Sequence, residues 1–179
     1  MTKSNALSPD SAGNARNGVT ESDTVSELFN RGLWTRPGFL IRRLHQIHYA
    51  IFFEDCKDDN ITPVQYGLLS VLIDDPWLDQ TEIGYQVGLD RTTSADVIRR
   101  LEEKGWVERR VNPSDRRSRQ ARVTDEGAEV MTTLKNKMVQ TQKRLLEPLE
   151  ESERHVFMDL LKKLVDANNQ YGRAVLKSL

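Results

Sequence analysis

The stretch DRTTSADVIRRLEEKGWVERRVNPSDRRSRQARVT, residues 90–124, decides the fold, because its pattern changes from helix to strand to arginine-crowded loop and back to strand. Asp90 offers a carboxylate to the free amides of a first helical turn, and Gly105 supplies a left-handed residue to end it. The spacing predicts a helix over 91–104. Ser94, Val97, Ile98 and Leu101 recur at the 3.6-residue period and face a core. Thr92, Asp96, Arg99 and Glu103 face the other way. The short hydroxyl side chains Thr92, Thr93 and Ser94 suit a helix N-terminus that approaches a groove closely, where hydroxyls reach base edges or phosphates. Arg91 and Arg99 add charge. An ordinary amphipathic helix with a solvated face shows the same pattern, so the helix alone does not separate the two readings.

Residues 106–111 and 119–123 are rich in strand formers, and Asn112, Pro113, Ser114 and Asp115 between them form turns, which predicts a β-hairpin. Its arms and loop carry Arg109, Arg110, Arg116, Arg117, Arg119 and Arg122 against Asp115 and few other acids, a density that costs repulsion unless an anion relieves it. Residues 89–123 hold ten Lys or Arg and six Asp or Glu, about +4 in a chain whose net charge is −1. Positive charge is concentrated here.

Helix, hairpin and wing loop together resemble the winged helix-turn-helix of the MarR family of bacterial transcriptional regulators. The resemblance rests on LEEKGWVER at residues 101–109 and on Asp115, Arg116 and Arg117 in the loop, and it extends from about Gly38 to the C-terminus. It implies that Asp115 orients Arg117 into a DNA minor groove. With these, the expected DNA contacts are Arg91, Thr92, Thr93, Ser94, Arg99, Arg116 and Arg119.

With 179 residues, 30% charged and 37% hydrophobic, the chain suits one compact unit of soluble type. No run approaches the roughly 20 apolar residues that span a bilayer, and no signal peptide is evident, so a cytoplasmic protein is expected. Residues 1–24 hold almost no bulky apolar side chain and are expected to be a flexible tail. The single cysteine, Cys56, excludes an internal disulfide, and Glu54, Asp55, Asp58 and Asp59 around it disfavour a thiolate.

A short helix over 25–33, capped by Thr24, is followed by a long helix opened by Pro37 and reaching about Asp58. Its expected inner stripe is Ile41, Leu44, His45, His48, Ile51, Phe52 and Asp55. Two readings of His45 and His48 stand: satisfied core histidines, or, beside Tyr49, Phe52 and Phe53, the wall of a ligand pocket. Two histidines supply only part of a zinc ligand set. Thr62 and Pro63 open the next helix, which contributes Tyr66, Leu68, Leu69, Val71 and Leu72 to the core. Asp79 caps a helix over 80–87, and Gly88 makes the turn before Asp90, giving helix-turn-helix spacing. Thr124 caps a helix running to Glu147, with Gly127 an early weak point. Ser152 opens the last helix, striped by Val156, Leu160, Leu161, Leu164 and Val165.

The expected fold is mainly α with a small β-hairpin (α+β). Residues 62–124 form the winged helix-turn-helix DNA-binding unit, and 25–61 and 125–179 the dimerisation helices, whose apolar surface favours a homodimer. No phosphate-binding glycine loop, metal motif or catalytic triad appears, so no enzyme, metal or cofactor is expected. The stretches PGFLIRRLHQIHYAIFFEDC, DQTEI and GLDRTT resemble MarR relatives that control catabolism of aromatic acids. The resemblance implies a repressor released from a palindromic operator by an aromatic acid or its coenzyme A thioester. Tyr49, Phe52 and Tyr66 would supply aromatic walls, and Arg42, Arg43, His45 and His48 the positive or hydrogen-bonding groups. Alternatives are a metal- or redox-responsive regulator of the same type, or a helical protein-interaction module.

Overall fold

Four of the capping side chains read from the sequence set where the central helices begin. In the computed structural model, which describes residues 21–176, Thr62 and Gln65 form a reciprocal box at the start of α3 (Pro63–Asp74). The Gln65 amide donates to Thr62 Oγ1 at 3.2 Å and the Thr62 amide to Gln65 Oε1 at 3.1 Å. Asp79 and Glu82 repeat the arrangement at α4 (Gln80–Val87). Gly88, left-handed at φ 69°, turns the chain into Asp90, whose side chain caps α5 (Arg91–Glu103). Thr124 caps α6 (Asp125–Leu146), accepting from the Gly127 amide at 3.1 Å and donating to Gly105 O at 2.6 Å.

The hairpin forms as β2 (Val107–Val111) and β3 (Arg119–Val123), antiparallel with Val107 opposite Val123. A third strand escaped the sequence reading. β1 (Leu78–Asp79) pairs with β3 through Leu78 opposite Ala121, giving the order β1-β3-β2. It ties the start of α4 to the root of the wing.

The described residues divide into two units, parted between Leu44 and His45, where one had been expected. In the first, α1 spans Glu21–Asn30 and precedes a 3₁₀ turn at Leu33–Thr35. Thr24 therefore lies inside α1 rather than capping it, and of the expected tail only residues 1–20 fall outside the described residues. Arg36 stacks on Phe29 at 3.9 Å, and Trp34 meets Phe39 edge-on at 5.0 Å. Helix α2 (Pro37–Asp55) begins in this unit.

The second unit holds the core: Phe52, Leu68, Leu69, Leu72, Ile83, Ile98, Leu101, Val107 and Leu134 are fully or almost fully buried. The stripe expected along α2 is closed only towards its end, because Ile41, Leu44 and His45 are exposed while Phe52 and Cys56 are buried. That end is tied to α6 by polar contacts. Thr141 Oγ1 donates to Asp55 Oδ2 at 2.7 Å, and Lys137 meets Asp59 at 2.6 Å. The last helix, α7, spans Glu151–Asn168 and opens on Glu150, with the Glu150 amide donating to Glu153 at 2.9 Å, in place of the expected opening at Ser152. No residue of α7 is buried in the single chain, whereas the α6 stripe of Met131, Leu134 and Met138 is covered.

Gly127 is a point of close approach, not a weak point. A Cβ there would lie 2.3 Å from Trp106 O and 2.8 Å from Val123 Cγ1, so helix and hairpin touch backbone to backbone. In an open helix, Gly→Ala gains up to about 1 kcal/mol. Here the clash reverses the sign: Gly127→Ala is expected to destabilise by about 1–3 kcal/mol, read as a lower midpoint in urea. An unchanged or higher midpoint would contradict the close approach.

Candidate DNA interface and effector region

The N-terminus of α5 is held by two contacts, only one of them evident in the sequence. Asp90 accepts from the Thr93 amide at 2.9 Å and from the Thr93 hydroxyl at 2.8 Å, and those bonds, the amide first, hold its carboxyl below the usual range. Gln80 was not foreseen. Its Nε2 donates to Arg91 O at 2.6 Å, fastening the start of α4 to the start of α5.

Arg91, Thr92 and Thr93 are exposed, as expected of a reading surface. Ser94 is not. Its exposure is 0%, and its hydroxyl points at Leu89 O, 3.5 Å away, so it belongs to the packing between α4 and α5 and is withdrawn from the DNA contacts. Arg99 lies along the helix between Asp96 at 2.7 Å and Glu103 at 2.5 Å. These carboxylates, Asp96 first, raise its already high pKa and offset its charge.

The structure divides the hairpin arginines into two groups. Arg109 pairs with Glu102 of α5, and Arg122 with Glu108. Arg110 and Arg122 stack on Trp77, at 3.8 and 4.9 Å from its ring centre. Trp77 adopts a positive φ of 66° just before β1, and nothing in its sequence neighbourhood announced that role. The remaining three are Arg116, Arg117 and Arg119, all exposed. Arg116 and Arg119 have no ion-pair partner among the described residues. Asp115 accepts from the Arg117 amide at 3.0 Å and lies 3.4 Å from Arg117 Nε, while the Arg117 side chain stays 93% exposed. A cleft of about 430 Å³ separates this wing from the starts of α4 and α5, with Thr81, Arg91, Arg117 and Arg119 on its walls. Arg91, Arg119 and the largely exposed Arg117 around a cleft beside a helix N-terminus suit a polyanion.

The residues nominated for an effector are gathered only in part. On the portion of α2 in the second unit, the His45 and Tyr49 rings are 4.5 Å apart, and His48 lies 6.0 Å from Tyr49 and 6.4 Å from Phe52. His48 is half-buried, and its pKa is lowered by that burial and then by His45. Tyr66 is half-buried and lines two grooves with Lys135 of α6, neither of which includes His45 or His48, so it does not join this ring cluster. Arg42 and Arg43 belong to the first unit, where the Arg42 guanidinium lies 5.6 Å from the Phe39 ring. Cys56 is buried, and burial followed by Asp59 pushes its thiol pKa up, which disfavours redox sensing.

The sequence pattern of the MarR family matches residues 61–118, the span from just before α3 to the end of the wing loop. The structure superposes on the PcaV transcriptional regulator of Streptomyces coelicolor, solved with its natural ligand, with a TM-score of 0.71 and 38% identity. That match covers 76% of this chain and 96% of PcaV. The chain belongs to the MarR family. Two more relatives of this MarR regulator are informative. BpsR of Bordetella bronchiseptica, whose DNA binding is regulated by 6-hydroxynicotinic acid, is 27% identical over 72% of this chain and 98% of its own, with a TM-score of 0.68. The HTH-type transcriptional repressor NicR of Pseudomonas putida is 27% identical over 135 residues, 75% of this chain and 85% of NicR. The protein is therefore a MarR-type, DNA-binding transcriptional regulator rather than an enzyme or a protein-interaction module. Among the described residues, no helix is long and apolar enough to cross a membrane.

Charge at the wing tip and short side chains on α5 predict different defects. Arg117→Ala should weaken binding to all duplexes and lower the slope of log K against log salt by about 0.9 per bound subunit. Thr92→Ala should instead change discrimination between sites, at about 1–3 kcal/mol per misread base pair. Fluorescence anisotropy on selected and random duplexes measures both. The same uniform loss from both variants would refute the division of labour.

Proposed function

We propose that this MarR-family protein is a homodimeric repressor that an aromatic carboxylic acid, free or as its coenzyme A thioester, releases from a palindromic operator. The observation that carries the reading is the ring cluster on α2, where His48 is half-buried against Tyr49 and Phe52 and its pKa is lowered by that burial and then by His45. Such a cluster matches both halves of an aromatic acid: a ring packs against the half-buried Tyr49, and a carboxylate pairs with a protonated imidazole. His45, exposed against Tyr49, extends the polar side. The regulation of BpsR by 6-hydroxynicotinic acid and the role of NicR as a transcriptional repressor support the ligand class and the direction of control.

Dimerisation is supported by apolar residues left open at both ends of the chain. Val156, Leu160 and Leu164 on α7 are each more than half exposed, and Leu33 and Trp34 are exposed in the first unit. A second copy covers such faces symmetrically and sets two α5 helices about 34 Å apart, one duplex turn. Light scattering at micromolar concentration should give twice the chain mass; a stable monomer would remove the two-headed reading.

Release by about 100-fold needs about 2.7 kcal/mol of coupling, and DNA must weaken effector binding by the same factor. His48→Ala should abolish release by hydroxybenzoates, nicotinates or their thioesters while leaving operator affinity intact. The nominated Arg42 and Arg43 enter the same titrations as alanine variants. A His48 variant that melts lower yet is released normally would make it a packing residue.

Protonation gives a second test. Because the folded protein lowers the His48 pKa, it binds this proton less well than the unfolded chain does, and His48 costs stability as pH falls below the unfolded value of about 6.5. A carboxylate docked on the imidazole reverses that shift, so binding takes up a proton and affinity should rise as pH falls from 8 towards 6. Calorimetry in buffers of different ionisation enthalpy reads the uptake; none in the parent protein would place the carboxylate elsewhere.

A further inference from the structure

Beyond α7 the chain closes into a compact loop that neither the wing nor the effector cluster uses. The Asn169 side chain holds both backbone groups of Leu176: Nδ2 donates to Leu176 O at 2.9 Å, and the Leu176 amide donates to Oδ1 at 2.8 Å. Within this clasp the Gly172 amide donates to Asn169 O at 3.1 Å, and a Cβ at Gly172 would lie 3.0 Å from Ala174 O, so the turn is tight. The Leu176 side chain rests on the turn of the helix-turn-helix. A Cβ on Gly88 would come within 3.3 Å of Leu176 Cδ2. Arg173, at the exposed crest of the loop, is near enough to Asp90 to contribute to holding that carboxyl down.

We propose that residues 169–176 are a strap that adds Arg173 to the DNA-binding surface as a phosphate contact beside the N-terminus of α5, with Asn169 and Leu176 as its positioning residues. The inference rests on the reading that Arg91, Thr92 and Thr93 face DNA. Two arguments favour phosphate. The Asp90 carboxylate is already engaged by the Thr93 amide and hydroxyl, so it does not use up the donors of Arg173. A backbone phosphate at this point is attracted both by Arg173 and by the positive end of the α5 dipole, which the single Asp90 carboxylate offsets only in part. The loop's internal bonds set its shape before DNA arrives, which lowers the ordering cost of the contact.

The test uses the full chain and a random-sequence duplex of about 40 bp, because phosphate contacts do not depend on sequence. Anisotropy titrations run from about 50 to 200 mM KCl. Arg173→Ala should lower the log-log salt slope by about 0.9 per bound subunit and weaken binding several-fold at about 100 mM, while Arg173→Lys should keep the slope. Asn169→Ala and Leu176→Ser should reproduce the Arg173→Ala slope with the arginine still present, and adding either to Arg173→Ala should cost nothing more. Circular dichroism melts confirm that each variant is folded. Arg117→Ala, measured alongside, separates the failures. If it lowers the slope and Arg173→Ala does not, the strap is overturned; if neither does, the placement of the reading surface falls with it. A slope lowered by Arg173→Ala but untouched by Asn169→Ala and Leu176→Ser would overturn the positioning role.

Discussion

The reading head depends on how closely α4 can approach α5. A Cβ on Gly84 would sit 2.7 Å from Leu89 O and 3.1 Å from Ser94 Oγ, so the crossing tolerates only hydrogen on one helix and a two-atom side chain on the other. That contact sets the angle at which α5 leaves the body, and so which of its side chains can face a groove. It explains why one hydroxyl of the three is withdrawn from solvent while Thr92 and Thr93 remain outside. Gln80 bonded to Arg91 O and Gly88 in its left-handed conformation then fix the crossing from its two sides. Larger side chains at this point would separate the helices by a few tenths of an ångström or more, and the core beneath, Ile83 and Leu101, is too tightly packed to absorb the change.

The wing follows a related rule in electrostatic form. Six arginines on the seventeen residues 107–123 would repel one another if all were free. Glu102, Glu108 and the Trp77 ring engage Arg109, Arg110 and Arg122 near the root, which stiffens the sheet and removes those charges from competition. The tip retains Arg116, Arg117 and Arg119. Field strength is thus concentrated where the hairpin is farthest from the core, and Asp115 orients one guanidinium without burying it.

What the sequence made legible was local chemistry with a fixed offset. Thr62, Asp79, Asp90 and Thr124 each precede an apolar period by the spacing that a cap requires, and each caps its helix. The reading failed where a residue's role is set by a distant partner. β1 is two residues long and exists only because β3 lies beside it, so no alternation could reveal it. Gly127 reads as a helix weakness until Trp106 O is seen against it. Tyr66 was grouped with the histidines by chemistry alone, whereas the fold turns it towards Lys135. Periodicity also nominated Ile41, Leu44 and His45 as inward-facing because it cannot distinguish a face covered by the same chain from one left open. The asparagine clasp had no signal, since Asn169 and Leu176 are seven residues apart with no motif between them.

The bond between Asp55 and Thr141 constrains how an effector signal could leave α2. A hydrogen bond to a charged group contributes about 1.5–3 kcal/mol, and Thr141 is fully buried, so losing it also strands a desolvated hydroxyl. The Lys137 pair with Asp59 adds a second tie four residues further on, and the pKa of Lys137 is raised chiefly by that hydrogen bond. A coupling of about 2.7 kcal/mol cannot break both contacts and still leave energy to turn a reading head. Within the second unit, then, the later turns of α2 and the facing stretch of α6 must shift together, with the deformation taken up elsewhere. The stretch after α2 is the place with least to lose. Asn60 there holds a positive φ of 49°, its carbonyl accepts from Lys104 at the C-terminal cap of α5, and Thr62 begins the next helix immediately beyond. One short loop and one lysine thus link the end of α2 to the far end of α5, alongside the core contacts of Phe52, Cys56 and Ile61.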